Sequence, residues 1–332
     1  MRKLINKPGN IVNELIDGYV AANKDRLKRV GDYTIVARKD IPVKNKVAIV
    51  IGGGSGHEPL FLEYVGKGMA DAAVHGQIFA SPSSAIILEA IKAADSGRGV
   101  LLIYGNYAGD VLNFDMAQEM AIDEGHKVGQ VRINDDISSG PKDRREGRRG
   151  TTAMPIVFKI AGAASASGME FEPLKALVQK AVDNSRSLGV SLSACTLPET
   201  GMATFTLEDG KMEFGMGLHG EAGIKKVDLM TADETTQTIL DLLIADLPFQ
   251  KNDEVVALIN GYGSTTKMEM FIISKKMHSY LGQKGISIYA TEIGEFCTSQ
   301  EMAGISITLF KLDTELKKYY DMPCEAPGFK KI

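Results

Sequence analysis

Short apolar runs that stop abruptly at glycine constrain this chain more than any other feature. Val47-Ala48-Ile49-Val50-Ile51 contains no polar residue and ends at Gly52-Gly53-Gly54-Ser55-Gly56-His57-Glu58-Pro59. Such a run reads as a strand buried on both faces, as in a parallel sheet. The glycines behind it predict a tight turn, and Pro59 predicts the first turn of a helix. The pattern recurs along the chain. A helix carries the stripe Ile11, Val12, Leu15, Ile16, Tyr19 and Val20 behind Pro8-Gly9-Asn10, and a short strand covers Tyr33 to Ala37. Helix Ala85 to Ala94, strand Val100 to Tyr104, a turn at Gly105 to Gly109 and helix Val111 to Glu124 follow. Strand Val128 to Ile133 and helices over about Thr152 to Ala164 and Glu172 to Asn184 complete the first half.

The second half predicts strands at Val190 to Ala194, Lys211 to Met216, Glu254 to Asn260, Ile286 to Thr291 and Ile305 to Phe310. Its helices fall at Asp233 to Ala245 and Lys267 to Leu281. Alternating strands and helices mean two α/β domains, each a mostly parallel or mixed sheet flanked by helices. The boundary is expected near Ser185 to Gly189, giving domains 1–187 and 188–332.

Composition removes other classes. With 44% hydrophobic and 24% charged residues the 332-residue chain is globular, and a net charge of −4 argues against a nucleic-acid binder. No apolar run approaches the roughly 20 residues that span a bilayer, and the opening Met-Arg-Lys is no secretory signal, so a cytoplasmic protein is expected. Cys195, Cys297 and Cys324 are too scattered for a disulfide framework or a metal knot, so no metal is expected. Glycine, at 35 residues, exceeds the usual level of about 7%.

Three places carry candidate chemistry. The Gly52 to Pro59 segment lets backbone N–H groups approach a ligand, although no Gly-Lys-Ser/Thr follows to make a phosphate loop. His219, in Gly217-Leu218-His219-Gly220-Glu221, is flanked too densely by glycine to be packed by its neighbours. A neutral imidazole there can act as nucleophile, base or metal ligand. Asp110 follows Gly105-Asn106-Tyr107-Ala108-Gly109, where it serves equally as a helix cap or as a general base in the crevice at the strand ends. The basic run Lys142, Arg144, Arg145, Arg148 and Arg149, interleaved with Asp143 and Glu146, reads as a solvated loop or a docking patch.

These three motifs, in this order, resemble the dihydroxyacetone-binding K subunit of dihydroxyacetone kinase. The likeness runs end to end and includes Gly147-Arg148-Arg149-Gly150, Ser193-Ala194-Cys195-Thr196 and Asn260-Gly261-Tyr262-Gly263. It implies a two-domain chain that binds a short ketose, with His219 adding through Nε2 to the ketone carbon to give a hemiaminal. It further implies that His57 helps protonate the adduct and that Asp110 deprotonates the hydroxyl attacking phosphorus. Gly53, Gly54, Ser55 and Gly56 would cradle the substrate beside Gly105, Phe79 and Ser81. A chain ending at Ile332 looks like the separate subunit, with ADP/ATP and magnesium on a partner L subunit and no cofactor on this chain. Phosphate would come from phosphoenolpyruvate through a phosphotransferase M component. A homodimer is implied, with no nucleic acid and no membrane.

Two departures from the family pattern stand out. Gly105 and Ala108 replace the usual lysine and threonine of the Asp110 turn, and Ala80 replaces a threonine beside Phe79. Smaller residues at Gly105 and Ala80 would leave room for a longer ketose such as erythrulose, or mark a ketose-sensing co-activator without catalysis.

Overall fold

The structure is a computed structural model and describes residues 3–332. It divides into two compact units that are discontinuous in sequence. The first holds the chain up to Ile133, Met154–Ala181 and Leu316–Ile332, and the second holds Asn134–Ala153 and Val182–Glu315. This differs from the single cut at 187/188 expected from the sequence. Ser185 to Ser187 already pair within the second sheet, and the Asn134–Ala153 segment bonds to second-unit residues.

The first unit is built on a six-stranded sheet of β1 (Leu27–Arg29), β2 (Ile35–Arg38), β3 (Ala48–Ser55), β4 (Ala72–Ile78), β5 (Val100–Gly105) and β6 (Val128–Ile133). The order is β1-β2-β4-β3-β5-β6, with the last four mutually parallel and β2 antiparallel to both its neighbours, β1 and β4. The helices are α1 (Ile11–Ala22), α2 (Ser84–Ala94), α3 (Ala108–Asp123), α4 (Met154–Ala166) and α5 (Phe171–Asp183). Alternate residues of β3 and β5 (Ala48, Val50, Val100, Leu102) bury against Ile87 and Ile91 of α2 and Phe114 and Ala117 of α3. Both faces of these strands are buried, which is why they read as continuous apolar runs.

The second unit has β7 (Ser185–Ser193), β8 (Lys211–Phe214), β9 (Lys225–Asp228), β10 (Glu254–Gly261), β11 (Ser287–Gly294) and β12 (Ala303–Leu312), ordered β11-β10-β12-β7-β8-β9. Only β10 and β11 run parallel. Helices α6 (Ala232–Asp246) and α7 (Lys267–Gln283) each start in a capping box, Thr231 with Glu234 and Thr266 with Glu269. They pack Ile239, Leu243, Met270 and Met277 onto the sheet. Past β12, α8 (Thr314–Asp321) leads to a hairpin of β13 (Cys324–Ala326) and β14 (Phe329–Lys331) in the first unit. There Gly328 N–H donates to Glu63 O and Glu325 N–H to Lys67 O, fastening the terminus to the loop after β3.

The glycine segment is where the local reading fails. Gly52 to Ser55 continue β3 and pair with β4 on one side, and no helix starts at Pro59. Glycine is needed for close approach: a Cβ on Gly52 would lie 2.6 Å from Val74 O, and one on Gly53 would lie 2.6 Å from the Phe61 ring. Glu58 turns back to accept the Gly56 N–H at 3.1 Å, and Phe61 sits in the left-handed region (φ 62°), so the chain cannot wind directly into a helix.

Candidate functional site

In the first unit, three strand ends converge. His57 is buried just beyond β3 and stacks on Phe79, which follows β4, with ring centroids 4.8 Å apart and planes 25° apart. Phe79 adopts φ 56° and donates its N–H to Ser55 O at 2.9 Å. Gly56 (φ 96°) lies against the same ring, where a Cβ would come within 2.8 Å. A Cβ on Gly54 would lie 2.9 Å from Ala80 N, so the glycines let the β3 and β4 ends touch backbone to backbone. Ser55 Oγ donates to Gly76 O at 2.8 Å.

The third contributor is α3, at the end of β5. Asn113 donates to Ser81 Oγ at 3.2 Å, and Gly109 faces Ser81 closely enough that a Cβ would sit 3.5 Å away. Asp110 is half-buried in the first turn of α3, whose cap is Tyr107. The helix starts before Asp110, which removes the capping role and leaves the carboxylate where the helix dipole favours negative charge. His57, Gly53, Gly54, Ser55, Gly56, Phe79, Ser81, Gly105 and Asp110 thus all lie at the C-terminal ends of β3, β4 and β5, the position of ligand crevices in open α/β sheets.

Gly105 does not leave open space. A Cβ there would lie 2.6 Å from Met154 Cε and 3.3 Å from the Tyr107 ring, so a buried methionine occupies the room expected beside it. Met154 was not legible as part of this region, because it belongs to a helix 49 positions further along.

In the second unit, His219 lies in the loop between β8 and β9, its side chain 26% exposed. Glu221 Oε2 accepts the His219 backbone N–H at 2.9 Å, and Glu221 Oε1 lies 3.1 Å from His219 Nδ1. Burial pushes the Glu221 carboxyl up, but the His219 hydrogen bond and charge and the nearby Arg149 outweigh it and bring it to about 2. Ser299 Oγ, in the segment between β11 and β12, donates to Leu218 O at 2.5 Å and anchors the loop.

The basic run is solvated only in part: Lys142 and Arg144 are exposed, while the other arginines are paired within the second unit. Arg148 makes a bidentate pair with Asp246 at 2.8 and 2.6 Å, Arg145 pairs with Asp183, and Lys142 donates to Ala245 O. Arg149 reaches Asp136, Gly215 O and Glu221. Among the described residues no group of three or more His, Cys, Asp or Glu could hold a metal ion, and no helix is long and apolar enough to cross a membrane.

The sequence profile of the Dak1 domain matches residues 17–328, and the chain belongs to that family. Within it, the chain is of the DhaK type, one component of a kinase. A Listeria innocua protein described as "PTS-dependent dihydroxyacetone kinase 2, dihydroxyacetone-binding subunit DhaK" is 45% identical over 331 residues, 99% of each chain. An L-erythrulose kinase of Pectobacterium atrosepticum is 39% identical over 335 residues, 100% of this chain and 56% of that protein. Of solved structures, the dihydroxyacetone kinase of C. freundii aligns with a TM-score of 0.90 at 34% identity, over 99% of this chain and 60% of that one. A dihydroxyacetone kinase operon co-activator aligns at 0.89 with 30% identity, over 96% and 98%.

Proposed function

We propose that this chain is the ketose-binding subunit of a phosphoenolpyruvate-dependent dihydroxyacetone kinase. His219 Nε2 adds to the ketone carbon as the C=O π bond opens, and the oxygen takes up a proton relayed from solvent by His57. The Nδ1 proton of the now cationic ring passes back to solvent by way of the Glu221 carboxylate, giving a neutral hemiaminal. Asp110 then accepts the proton of the terminal hydroxyl as its oxygen attacks the γ-phosphorus of ATP, and ADP leaves. A covalent tether orients a small polar substrate that would otherwise be weakly held, and it selects carbonyl compounds over polyols. ADP/ATP and magnesium belong to a separate L subunit, recharged from phosphoenolpyruvate through an M component, and this chain binds no cofactor of its own. The working form is a cytoplasmic homodimer without nucleic-acid or membrane contacts.

The observation that carries the reading is the His219 ring, held at Nδ1 by a carboxylate in a glycine-lined loop and partly exposed. A second reading, a ketose-sensing co-activator, is favoured by the 0.89 alignment with such a protein. Asp110 at the start of α3 supports the kinase, because a sensor needs no base for a phosphoryl acceptor. Intact-protein mass spectrometry after exposure to dihydroxyacetone tests the tether. The native chain is expected to gain the mass of one ketose and His219→Ala none, while an unchanged adduct on the variant would refute the assignment. Phosphoryl transfer with the cognate L subunit then separates kinase from sensor.

A further inference from the structure

We infer that Glu221 and Arg149 are positioning residues that decide which ring nitrogen of His219 is the nucleophile. The inference rests on the covalent role proposed for His219, and its geometry lies wholly within the second unit. Glu221 grips His219 at two points, the backbone N–H through Oε2 and Nδ1 through Oε1. An ionised carboxylate can only accept, so the hydrogen of the neutral ring sits on Nδ1 and the lone pair on Nε2. Free histidine side chains prefer the opposite tautomer in water. Left alone, the ring would place its lone pair on the wrong nitrogen for addition through Nε2.

A carboxylate two residues from its partner on a glycine-rich loop would swing unless something held it. Arg149 Nη1 stands 3.8 Å from Glu221 Oε2, an ion pair without a hydrogen bond, so both carboxylate oxygens remain available to His219. The guanidinium is itself fixed. Its Nε donates to Asp136 Oδ2 at 3.0 Å and its Nη2 to Gly215 O at 3.1 Å, with Ser138 Oγ a longer contact at 3.4 Å. The Arg149 backbone N–H is tied to Ser139 Oγ at 2.8 Å. Asp136 is nearly fully buried and supplies the opposite charge that keeps Arg149 from collapsing onto Glu221.

The loop is shaped around this pair. A Cβ on Gly217 would lie 2.1 Å from Glu221 Oε2 and 2.3 Å from Arg149 Nη1, so only glycine lets the backbone pass beside the ion pair. Gly217 N–H also donates to Glu221 O at 2.9 Å, closing the turn that carries His219. A chain Asp136–Arg149–Glu221–His219 therefore orients the imidazole before any ketose arrives.

The test uses the full-length protein labelled with ¹⁵N-histidine, at a pH where the ring is neutral and without ketose. The native protein is expected to show His219 as the Nδ1–H tautomer, and Glu221→Ala to show the Nε2–H form. Loss of a charge-assisted hydrogen bond then lowers the association constant for dihydroxyacetone about 10- to 100-fold by intact mass. Glu221→Gln offers one accepting oxygen to two donors, the His219 backbone N–H and Nδ1–H, and is expected between the native and Ala proteins in both tautomer and adduct. Arg149→Lys, a point charge without the fork, falls between the two. Amide spectra outside the loop confirm that each variant is folded. A Glu221→Ala protein that keeps the Nδ1–H tautomer, or a native protein that shows the Nε2–H form, overturns the inference. The expected tautomers with no adduct on any of the proteins would refute the covalent reading and leave the positioning intact.

Discussion

Lys159 lies in the middle of α4 with no solvent exposure, and its ammonium donates to Tyr319 O at 2.7 Å near the end of α8. Burial lowers its pKa from 10.5 to about 8, with Cys324 and Asp321 pulling it up and Lys331 pushing it further down. The sign of the pH effect follows. Below pH 8 folded and unfolded chains both hold the proton, and the burial penalty is complete. Between pH 8 and 10.5 the unfolded chain binds a proton that the folded chain has released, so the contribution of Lys159 to stability rises with pH. The drop from 10.5 to about 8 converts to about 3 kcal/mol over that window. Lys159→Met removes the ionisation but deprives the Tyr319 carbonyl of this donor, a loss of about 1–3 kcal/mol that offsets the relieved penalty near neutrality. Urea unfolding of the two proteins is compared from pH 7 to 10.5, both in a Cys324→Ser background so that the neighbouring thiol does not titrate in the same range. The two should be similar near pH 7, with the lysine form gaining about 3 kcal/mol on the methionine form by pH 10.5. A stability difference independent of pH would refute the argument.

Two further outcomes follow from the first unit. Asp110→Asn should retain ketose binding while phosphoryl transfer with the L subunit falls about 10²–10⁴-fold, read as a loss in kcat. Because Asp110 lies in the first turn of α3 and is not its cap, the helix should lose only about 0.3–1 kcal/mol, so equal losses of stability and activity would contradict a catalytic role. Met154→Ala should open the space beside Gly105 and raise competition by erythrulose against dihydroxyacetone relative to the native protein. An unchanged ratio in an adduct competition would show that Met154 does not limit substrate length.

Much of the fold was legible because burial leaves a direct trace in sequence. The parallel strands β3 and β5 are sandwiched between helices, so both their faces are apolar, and α1 announces itself by the stripe behind Pro8-Gly9-Asn10. β4 escaped notice because Ala72, Ala73 and Gly76 carry little side chain, and β9 because Lys225-Lys226-Val227-Asp228 is an exposed edge. The glycine cluster was recognised as a place of close approach but assigned to a turn. The atoms being approached, Val74 O, the Phe61 ring and Ala80 N, come from other parts of the chain.

Sequence by itself determined the class of architecture and the chemical inventory: two α/β halves, His57, Asp110 and His219 beside glycine, and no framework of cysteines. These depend on local periodicity and on residue type, which a linear string carries. Tertiary structure alone decided how the inventory is used. It moved Asp110 from cap to first turn, filled the space at Gly105 with Met154, and paired Arg145, Arg148 and Arg149 with Asp183, Asp246, Asp136 and Glu221. The reason is physical. Whether a charge is solvated or paired, and whether a missing side chain leaves a hole or a contact, depends on groups tens of residues away that only folding brings within a few ångströms.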